Sequence, residues 1–223
     1  MEKLSKRLSK VAEFVPKGAV LLDVGSDHAY LPIYLVSQNQ INSAIAGEVV
    51  AGPYQSALSN INMNQLNDKI NARLANGLDA FNENDSVNVI TICGMGGRLI
   101  VEILENGKSK LANIDRLILQ PNNREDDLRN WLIHNHFKII DETILSENDK
   151  FYEIIIAEKG SQKLNNIELR FGPKLLEKPS DIFKQKWLKE MEKLEYALRS
   201  IPESNQEAKK VIQDKLITIK GVI

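Results

Sequence analysis

The sequence lacks most of what secreted, membrane-spanning and metal-binding proteins need. Cys93 is the single cysteine among 223 residues, which excludes an intrachain disulfide. No apolar run reaches the 18 or so residues of a membrane span, and the charged residues 1–17 lack the apolar core of a signal peptide. The three histidines and the cysteine have no metal-ligand spacing. We therefore expect a cytoplasmic protein with no membrane partner and no metal.

Net positive charge is also absent, but the basic residues are unevenly distributed. The formal net charge is −1, made up of +3 over residues 1–17, −8 over residues 18–160 and +4 over residues 161–223. Basic ends around an acidic middle are a hint of nucleic-acid binding. Long exposed helices that simply carry many lysines would give the same pattern, so charge alone leaves both explanations open.

Apolar runs and helical patterns alternate along residues 1–160, after an amphipathic helix predicted within residues 1–17. The predicted strands are 19–24, 43–47, 69–75, 87–92, 116–120, 137–143 and 152–157. Such alternation predicts an α/β fold with a mostly parallel, doubly wound sheet. No helix separates the last two strands, which predicts an antiparallel hairpin at one sheet edge. This is the seven-stranded, Rossmann-like pattern of class I methyltransferases rather than of a dehydrogenase.

Residues 161–223 form a second region, in which the strand pattern stops. Residues 172–180 predict a linker. Apolar residues then recur at alternating spacings of four and three, which predicts a coiled-coil seam, and a second stripe follows Pro202. The two helices predict an antiparallel hairpin that packs on itself or on the main domain, so we expect a monomer; dimerisation through the seam is the alternative. The seam comprises Trp187, Met191, Leu194, Leu198 and Ile201, and the second stripe Ile212, Leu216 and Ile219.

The end of the first strand carries the strongest indication of a ligand. Asp23 and Gly25 end a buried apolar run, at the sheet edge where open α/β sheets bind ligands. Asp27 stands where a pyrophosphate-binding loop would have another glycine, and its charge disfavours phosphates. A phosphate-free sulfonium nucleoside, S-adenosylmethionine, is the better match. The alternative is an incidental glycine in a turn.

Two further strand ends offer groups for such a nucleoside. Glu48 ends the second strand, where a carboxylate can accept hydrogen bonds from both ribose hydroxyls. Asn76, Gly77 and Leu78 follow the third strand and could frame an adenine. A solvated glutamate and a plain turn are the alternatives.

The fourth and fifth strands end in segments suited to a substrate. Gly94, Gly96 and Gly97 leave room for a flat ligand beside Met95, unless they only provide a flexible entry to a helix. The Asp/Asn-Pro-Pro-aromatic segment of enzymes that methylate exocyclic amines is missing here. The polar segment Gln120-Pro121-Asn122 could line the substrate side. Cys93 has no paired base and is disfavoured as a nucleophile.

Together these segments resemble the bacterial tRNA (adenine-22-N1)-methyltransferases, the TrmK family. The resemblance covers essentially the whole chain. It is carried by Asp23-Val-Gly-Ser-Asp-His-Ala-Tyr-Leu-Pro-Ile33, Gly47-Glu48-Val49, Ala75-Asn-Gly-Leu78, Cys93-Gly-Met-Gly-Gly97, Gln120-Pro-Asn122 and Phe171-Gly-Pro173. It implies methylation of N1 of adenine 22 in tRNA with S-adenosylmethionine. The cofactor-binding residues we expect are Asp23, Gly25, Asp27, His28, Glu48, Val49, Asn76, Gly77, Leu78, Cys93 and Gly94. Those expected around the target base are Met95, Gly96, Gly97, Gln120, Pro121 and Asn122.

Catalysis of such a transfer needs alignment of N1 with the methyl group and an acceptor for the charge that forms on the adenine. Asp27 is the first candidate for that acceptor, although it could instead bind the amino group of the cofactor. Tyr30 is a candidate for stacking on or positioning the base. Two other functions stay open from the sequence: a small-molecule methyltransferase of the same fold, and a catalytically inactive RNA-binding protein.

Overall fold

The computed structural model describes residues 4–223 and contains one seven-stranded, mostly parallel sheet with helices on both faces. The strand order is β3-β2-β1-β4-β5-β7-β6. The strands are β1 (Val20–Val24), β2 (Ser43–Glu48), β3 (Ile70–Leu74), β4 (Val89–Met95), β5 (Arg116–Pro121), β6 (Phe137–Glu147) and β7 (Lys150–Lys159). The helices are α1 (Lys6–Glu13), α2 (Tyr30–Ser37), α3 (Ala51–Met63), α4 (Gly97–Asn106), α5 (Glu125–His134), α6 (Asn166–Phe171), α7 (Pro173–Glu177), α8 (Asp181–Ser200) and α9 (Gln206–Lys220).

The sheet confirms the predicted class I methyltransferase architecture. Strands β1 to β5 pair in parallel, and β7 runs antiparallel to both β5 and β6. The last two strands extend well beyond their predicted bounds, because the two-residue turn at Asn148 and Asp149 allows cross-strand pairing up to Glu147 and Lys150. The central strands are buried on both faces, which is why their sequences are continuously apolar.

Helix α1 is shorter than the predicted segment, and side-chain hydrogen bonds hold its N-terminal end. The Ser5 side chain caps it by accepting a hydrogen bond from the Leu8 amide. The backbone amides of Lys6 and Arg7 donate to the Glu147 carboxylate of β6, at 2.7 and 3.3 Å. Residues 1–3 of the predicted helix lie outside the described residues. The helix is thereby fixed to the far edge of the sheet as well as to the core below it.

The predicted linker over residues 172–180 is wrong in part, because it contains the short helix α7, directly after the end of α6 at Phe171. Asn165 and Glu168 form a reciprocal capping box at the start of α6. Pro173 occupies the first turn of α7, where its missing amide costs nothing. The region therefore holds short helices with strong start signals rather than a flexible connection.

Helices α8 and α9 form the predicted hairpin, and α8 packs on the main domain. Trp187 is 1% exposed and contacts the rings of Phe171 and Phe183, in a cluster that reaches Ile144 of β6. Leu216 and Ile219 bury the facing side of α9. The far end of the predicted seam, Leu198 and Ile201, is only half-buried. A hairpin docked on the sheet edge is therefore present, and a coiled coil along its full length stays a prediction.

A buried ion cluster connects the two regions of the chain. Arg129 of α5 is fully buried and donates to the carboxylates of Glu142 and Glu153, two strand residues of the main domain. Its second Nη atom donates to the Leu169 carbonyl of α6 at 3.0 Å. Lys186 of α8 adds a second cation to Glu153 at 2.6 Å. The C-terminal helices are thus held to the sheet by charge as well as by apolar contact.

Across residues 4–223, no helix combines the length and apolar character required to cross a membrane. In the same part of the chain, no group of three or more His, Cys, Asp or Glu side chains is arranged to hold a metal ion.

Candidate active site

The predicted site residues meet at the carboxyl edge of the sheet, where the connections from β1 and β4 diverge. Strand β1 is followed in the sheet by β2 and β3 on one side, and by β4 and β5 on the other. Helices from adjacent strands leave in opposite directions at such a point, which opens a crevice for a ligand. The side chains that end β1, β2, β4 and β5 surround this crevice.

Asp23 lies at the floor of the crevice as a buried carboxylate. It accepts hydrogen bonds from the hydroxyls of Ser26 and Thr91, both at 2.6 Å. Burial raises the pKa of Asp23 to about 6, although these two hydrogen bonds favour the ionised form. A carboxylate kept in such a costly position, and oriented by two hydroxyls, is typical of a functional site.

The turn after β1 depends on Gly25. Its φ of +67° is in the left-handed region, and a Cβ there would lie 2.2 Å from the Met95 methyl group. Met95 ends β4, so the two loops approach each other without room for a side chain. Gly25 therefore allows the β1 and β4 ends to form one narrow wall of the crevice.

The next three residues form a strained loop. Asp27, His28 and Ala29 have φ values of 39°, 64° and 56°, which are uncommon for residues other than glycine. The Asp27 amide donates to Glu48 Oε1, and the His28 carbonyl accepts from Asn60 Nδ2 at 3.0 Å. Consecutive left-handed residues are kept only where neighbours enforce them, and such strain is concentrated at functional sites.

The strained loop carries an exposed acid and, with the start of α2, a stacked pair of rings. The Asp27 side chain is 81% exposed and lies 3.5 Å from His28 Nε2. The rings of His28 and Tyr30 stack with centroids 5.2 Å apart and an interplanar angle of 21°. Tyr30 begins α2, so its position is set by the helix. A carboxylate beside a flat aromatic surface can hold a planar, positively charged base.

Glu48 combines burial with an accessible oxygen. It ends β2, it is 6% exposed, and burial raises its pKa. Among the described residues, the one hydrogen bond to its carboxylate is that from the Asp27 amide to Oε1. The second oxygen can therefore accept from a ligand, as a ribose-binding carboxylate must. Val49 follows it with an exposed side chain.

The segment after β3 contributes mainly backbone. Asn76 is exposed and precedes a short 3-10 helix, Gly77–Ala80. Gly77 has a φ of +52°, and a Cβ there would lie 2.9 Å from the Ile103 side chain of α4. Leu78 is 2% exposed and packs in the core, where a Cβ on Gly107 would touch its side chain. We expected this leucine to frame an adenine, but its burial leaves only its backbone available.

The glycines at the end of β4 have different roles. Gly94 has a φ of +76° at an irregularity in the β4–β5 pairing, which widens the turn. Gly96 has an ordinary backbone, and a Cβ there would meet only the Asn123 side chain at 3.3 Å. Gly97 is buried, and a Cβ would lie 2.4 Å from the Arg124 carbonyl. Gly97 therefore serves backbone packing, in contrast to its predicted place in the base pocket.

Gln120 fixes the geometry of the Gly94 turn from β5. It is fully buried, its Oε1 accepts from the Gly94 amide at 3.0 Å, and its Nε2 donates to Asn122 Oδ1 at 3.2 Å. Asn122 is exposed and donates to the Gly94 carbonyl at 2.7 Å. Pro121 is buried between them. The β4 and β5 ends are thus cross-linked into a rigid rim.

Cys93 takes no part as a nucleophile. Burial raises the pKa of its thiol far above neutral pH, which leaves it protonated. Its place in the site is that of a small apolar group at the end of β4.

Several residues of the site escaped sequence reasoning. Ser26 and Thr91 orient Asp23, and a threonine inside the apolar run of β4 was the available signal. Arg7 reaches the site from α1 and donates to Gln120 Oε1 at 2.7 Å. No spacing signal could have linked Arg7 to Gln120, since 113 positions separate them in the chain.

The crevice matches the requirements of a phosphate-free nucleoside better than those of a dinucleotide. The Gly25 turn packs against Met95 and leaves no side chain at that position, so the β1 and β4 ends form one wall of the crevice. Carboxylates at Asp23, Asp27 and Glu48 surround it, which favours a cationic sulfonium and disfavours phosphates. The donor set therefore fits S-adenosylmethionine.

Comparison with known proteins gives a consistent result. Residues 21–221 match the TrmK family, described as tRNA (adenine(22)-N(1))-methyltransferase. The tRNA (adenine(22)-N(1))-methyltransferase of Bacillus subtilis is 40% identical, over 99% of this chain and 97% of that protein.

Solved structures agree with that match. The structure of Streptococcus pneumoniae Sp1610 in complex with S-adenosyl-L-methionine has 60% identity and a TM-score of 0.94, over 99% of both chains. The structure of M. capricolum TrmK in complex with S-adenosyl-homocysteine has 31% identity and a TM-score of 0.89, over 99% of this chain and 97% of that one.

Proposed function

The chain belongs to the TrmK family of tRNA (adenine(22)-N(1))-methyltransferases, and we propose that the crevice between the β1 and β4 loops carries out the family's reaction. The enzyme transfers a methyl group from S-adenosylmethionine to N1 of adenine 22 in tRNA. The small-molecule and non-catalytic alternatives are set aside by this membership. The observation that carries the assignment to the crevice is the convergence of Asp23, Glu48 and the Gly25 and Gly94 turns at the switch point of the sheet.

Cofactor binding is assigned to the β1, β2 and β3 ends. Glu48 Oε2 would accept hydrogen bonds from the ribose hydroxyls of the bound cofactor, and the Gly25 turn would form part of the wall beside it. Asp23 provides the negative charge that attracts the positively charged end of the ligand. The remaining predicted positions contribute backbone and edge contacts; they are His28, Val49, Asn76, Gly77, Leu78, Cys93 and Gly94. When bound, the cofactor supplies a methyl group already activated by the sulfonium, so no covalent enzyme intermediate is needed.

The target adenine is assigned to the rim formed by the β4 and β5 ends. N1 of adenine is used for pairing in a duplex, so the base must first be extruded from the stack. Met95, Gly96, Pro121 and Asn122 border the space next to the Gly94 turn, and Gln120 holds that turn in place. The protein then contributes alignment of N1 with the methyl group and exclusion of water.

Asp27 and Tyr30 are assigned to the chemical step. Methylation at N1 leaves the adenine with a positive charge, and a carboxylate within reach stabilises that charge or accepts a proton from N6. The exposed Asp27 side chain, on a loop that Glu48 and Asn60 hold in place, is suited to this task. The stacked rings of Tyr30 and His28 offer a flat surface for the base.

Binding of the tRNA body is assigned to residues 161–223. Their net charge is +4, of which α8 contributes +1 and α9 contributes +2. We further propose that the enzyme acts as a monomer in the cytoplasm, where tRNA is available.

The assignment to Asp27 is tested by Asp27→Asn. Asparagine tolerates the left-handed backbone well, so the loop geometry is expected to persist. We expect kcat to fall at least about 100-fold, the usual contribution of a positioned acid–base group, with little change in cofactor affinity. A normal kcat would remove Asp27 from the chemical step. Weaker S-adenosylmethionine binding with unchanged kcat would instead place Asp27 on the cofactor's amino group.

A further inference from the structure

Arg7 differs from the other arginines of the main domain in having no acidic partner. Within residues 4–160, Arg73, Arg98, Arg116, Arg124 and Arg129 each form an ion pair with a carboxylate. In that described part of the chain, no carboxylate lies within 4.0 Å of the Arg7 guanidinium. A half-buried arginine without a counter-charge is costly for the fold, so its position calls for a ligand.

The guanidinium of Arg7 is held in one orientation. Its Nη1 donates to Gln120 Oε1 at 2.7 Å, and its Cζ lies 5.6 Å from the centre of the Tyr152 ring. The start of α1 is fixed by the Glu147 carboxylate, which accepts from the Arg7 amide. Among the described residues, Gln120 is the one hydrogen-bond acceptor of this side chain. The other N–H groups of the guanidinium are therefore fixed in position but have no hydrogen-bond acceptor among the described residues.

The orientation directs Arg7 at the rim of the crevice. A Cβ on Gly94 would lie 3.5 Å from Arg7 Nη1, so the guanidinium covers the Gly94 turn. Gln120 Oε1 accepts from both the Arg7 fork and the Gly94 amide. The charge of Arg7 also lowers the pKa values of Asp23 and Cys93, although burial raises both more strongly. Arg7 thus belongs to the same site as the predicted residues.

We propose that Arg7 is an oxyanion-binding residue of this active site, contributed by the N-terminal helix. A planar fork with free donors is suited to the two oxygens of a carboxylate or a phosphate. A guanidinium would be repelled by the sulfonium and by the methylated adenine, so its ligand is an anionic group attached to one of them. The proposal rests on the proposed function, which provides two such groups: the carboxylate of the cofactor's methionine moiety and a backbone phosphate beside the target nucleotide.

Calorimetry with two probes tests whether the ligand of Arg7 is the carboxylate of the cofactor. Wild type, Arg7→Gln and Lys10→Gln are titrated with S-adenosylmethionine and with its decarboxylated analogue. If the ligand is the carboxylate, Arg7→Gln weakens S-adenosylmethionine binding about 10- to 100-fold and changes binding of the analogue less than threefold. The matched control is Lys10→Gln, which removes one positive charge from the same helix. The Lys10 Nζ lies over the Phe14 ring, 5.7 Å from its centre.

Methyl transfer to tRNA over a range of salt concentrations tests whether the ligand of Arg7 is a backbone phosphate of the tRNA. If the ligand is a phosphate, cofactor affinity is unchanged in Arg7→Gln and KM for tRNA rises about tenfold. The dependence of log(kcat/KM) on log salt then becomes shallower by about 0.7–0.9, the loss of one phosphate contact. Lys10→Gln is expected to change neither quantity to this extent.

Arg7→Lys is measured in parallel. It keeps the positive charge, so we expect it to fold even if Arg7→Gln does not. It lacks the fork, so we expect a loss of about 3- to 10-fold in the same parameter. The proposal is overturned if Arg7→Gln has the same affinity for both cofactor probes, and the same KM and salt dependence with tRNA, as Lys10→Gln. If Arg7→Gln is unfolded, the same comparison is made with Arg7→Lys. Failure of the proposed function would look different, since the wild type itself would then bind no S-adenosylmethionine.

Discussion

Replacement of Glu48 tests the cofactor-binding assignment most quantitatively. In Glu48→Ala, the ribose hydroxyls lose an acceptor and the Asp27 amide loses the partner that holds the strained loop. Hydrogen bonds to a charged group contribute roughly 1.5–3 kcal/mol each, and an exposed loop recovers part of this from water. We therefore expect a loss of about 1–3 kcal/mol in S-adenosylmethionine binding, which is about 5- to 150-fold in Kd.

Glu48→Gln separates the two contributions. The amide oxygen can still accept from Asp27, while the charged acceptor for the ribose is replaced by a neutral group. We expect a smaller loss than for alanine, near the lower end of the range. Both are measured by calorimetry, with Glu102→Gln on the exposed side of α4 as the control for charge removal. Wild-type affinity in Glu48→Ala would refute the assignment, and equal losses in both variants would refute the role of Glu48 in holding the loop.

Three further comparisons of variants test separate parts of the account. Gly96→Ala should fold normally and slow methyl transfer, whereas Gly97→Ala should lower the melting temperature through its 2.4 Å clash with a carbonyl; equal melting temperatures would contradict this distinction. Because burial raises the pKa of Asp23 to about 6, its contribution to stability is present below pH 4 and lost as the pH rises to 6. Wild type should therefore lose up to about 3 kcal/mol relative to Asp23→Asn between pH 4 and pH 7 in chemical unfolding, and a pH-independent difference would argue against it. Arg129→Met leaves the buried Glu142 carboxylate without a cation and Glu153 with Lys186 alone, and it should cost about 3–5 kcal/mol in unfolding free energy. Arg98→Met at an exposed ion pair should cost under about 1 kcal/mol; similar losses would contradict the role of the buried cluster.

The sequence was most informative where one local pattern determines the structure. Continuous apolar runs located the central strands, because strands covered on both faces have no polar side to present. The missing helix before β7 predicted the antiparallel edge, since adjacent strands without a crossover can only form a hairpin. Strand ends were less well predicted, as for β6, because their length depends on the partner strand.

The helical region after Gly160 was predicted less completely. The heptad-like spacing from Trp187 gave α8, but it did not indicate which residues face the sheet. Phe171 of α6 packs on Trp187 from outside the hairpin, and that contact follows from tertiary packing alone. The capping residues Asn165 and Glu168 were visible signals for α6 that a linker interpretation passed over.

The site itself could be predicted as positions but not as geometry. Asp23, Gly25 and Glu48 follow from the rule that ligands bind at the carboxyl ends of strands. The left-handed backbone of Asp27 to Ala29 could not be foreseen, because no glycine marks it. Arg7 could not be foreseen either, since only the packing of α1 against β6 brings it to Gln120.

The central claim is that this crevice methylates N1 of a single adenine in tRNA. The most direct measurement is mass spectrometry of nucleosides and of RNase fragments, after incubation of the protein with S-adenosylmethionine and a tRNA that has adenine or guanine at position 22. We expect one 1-methyladenosine per molecule, located at position 22, with the adenine-containing tRNA and none with the guanine variant. Methylation of the guanine variant to the same extent, or no methyl transfer to either tRNA, would contradict the account.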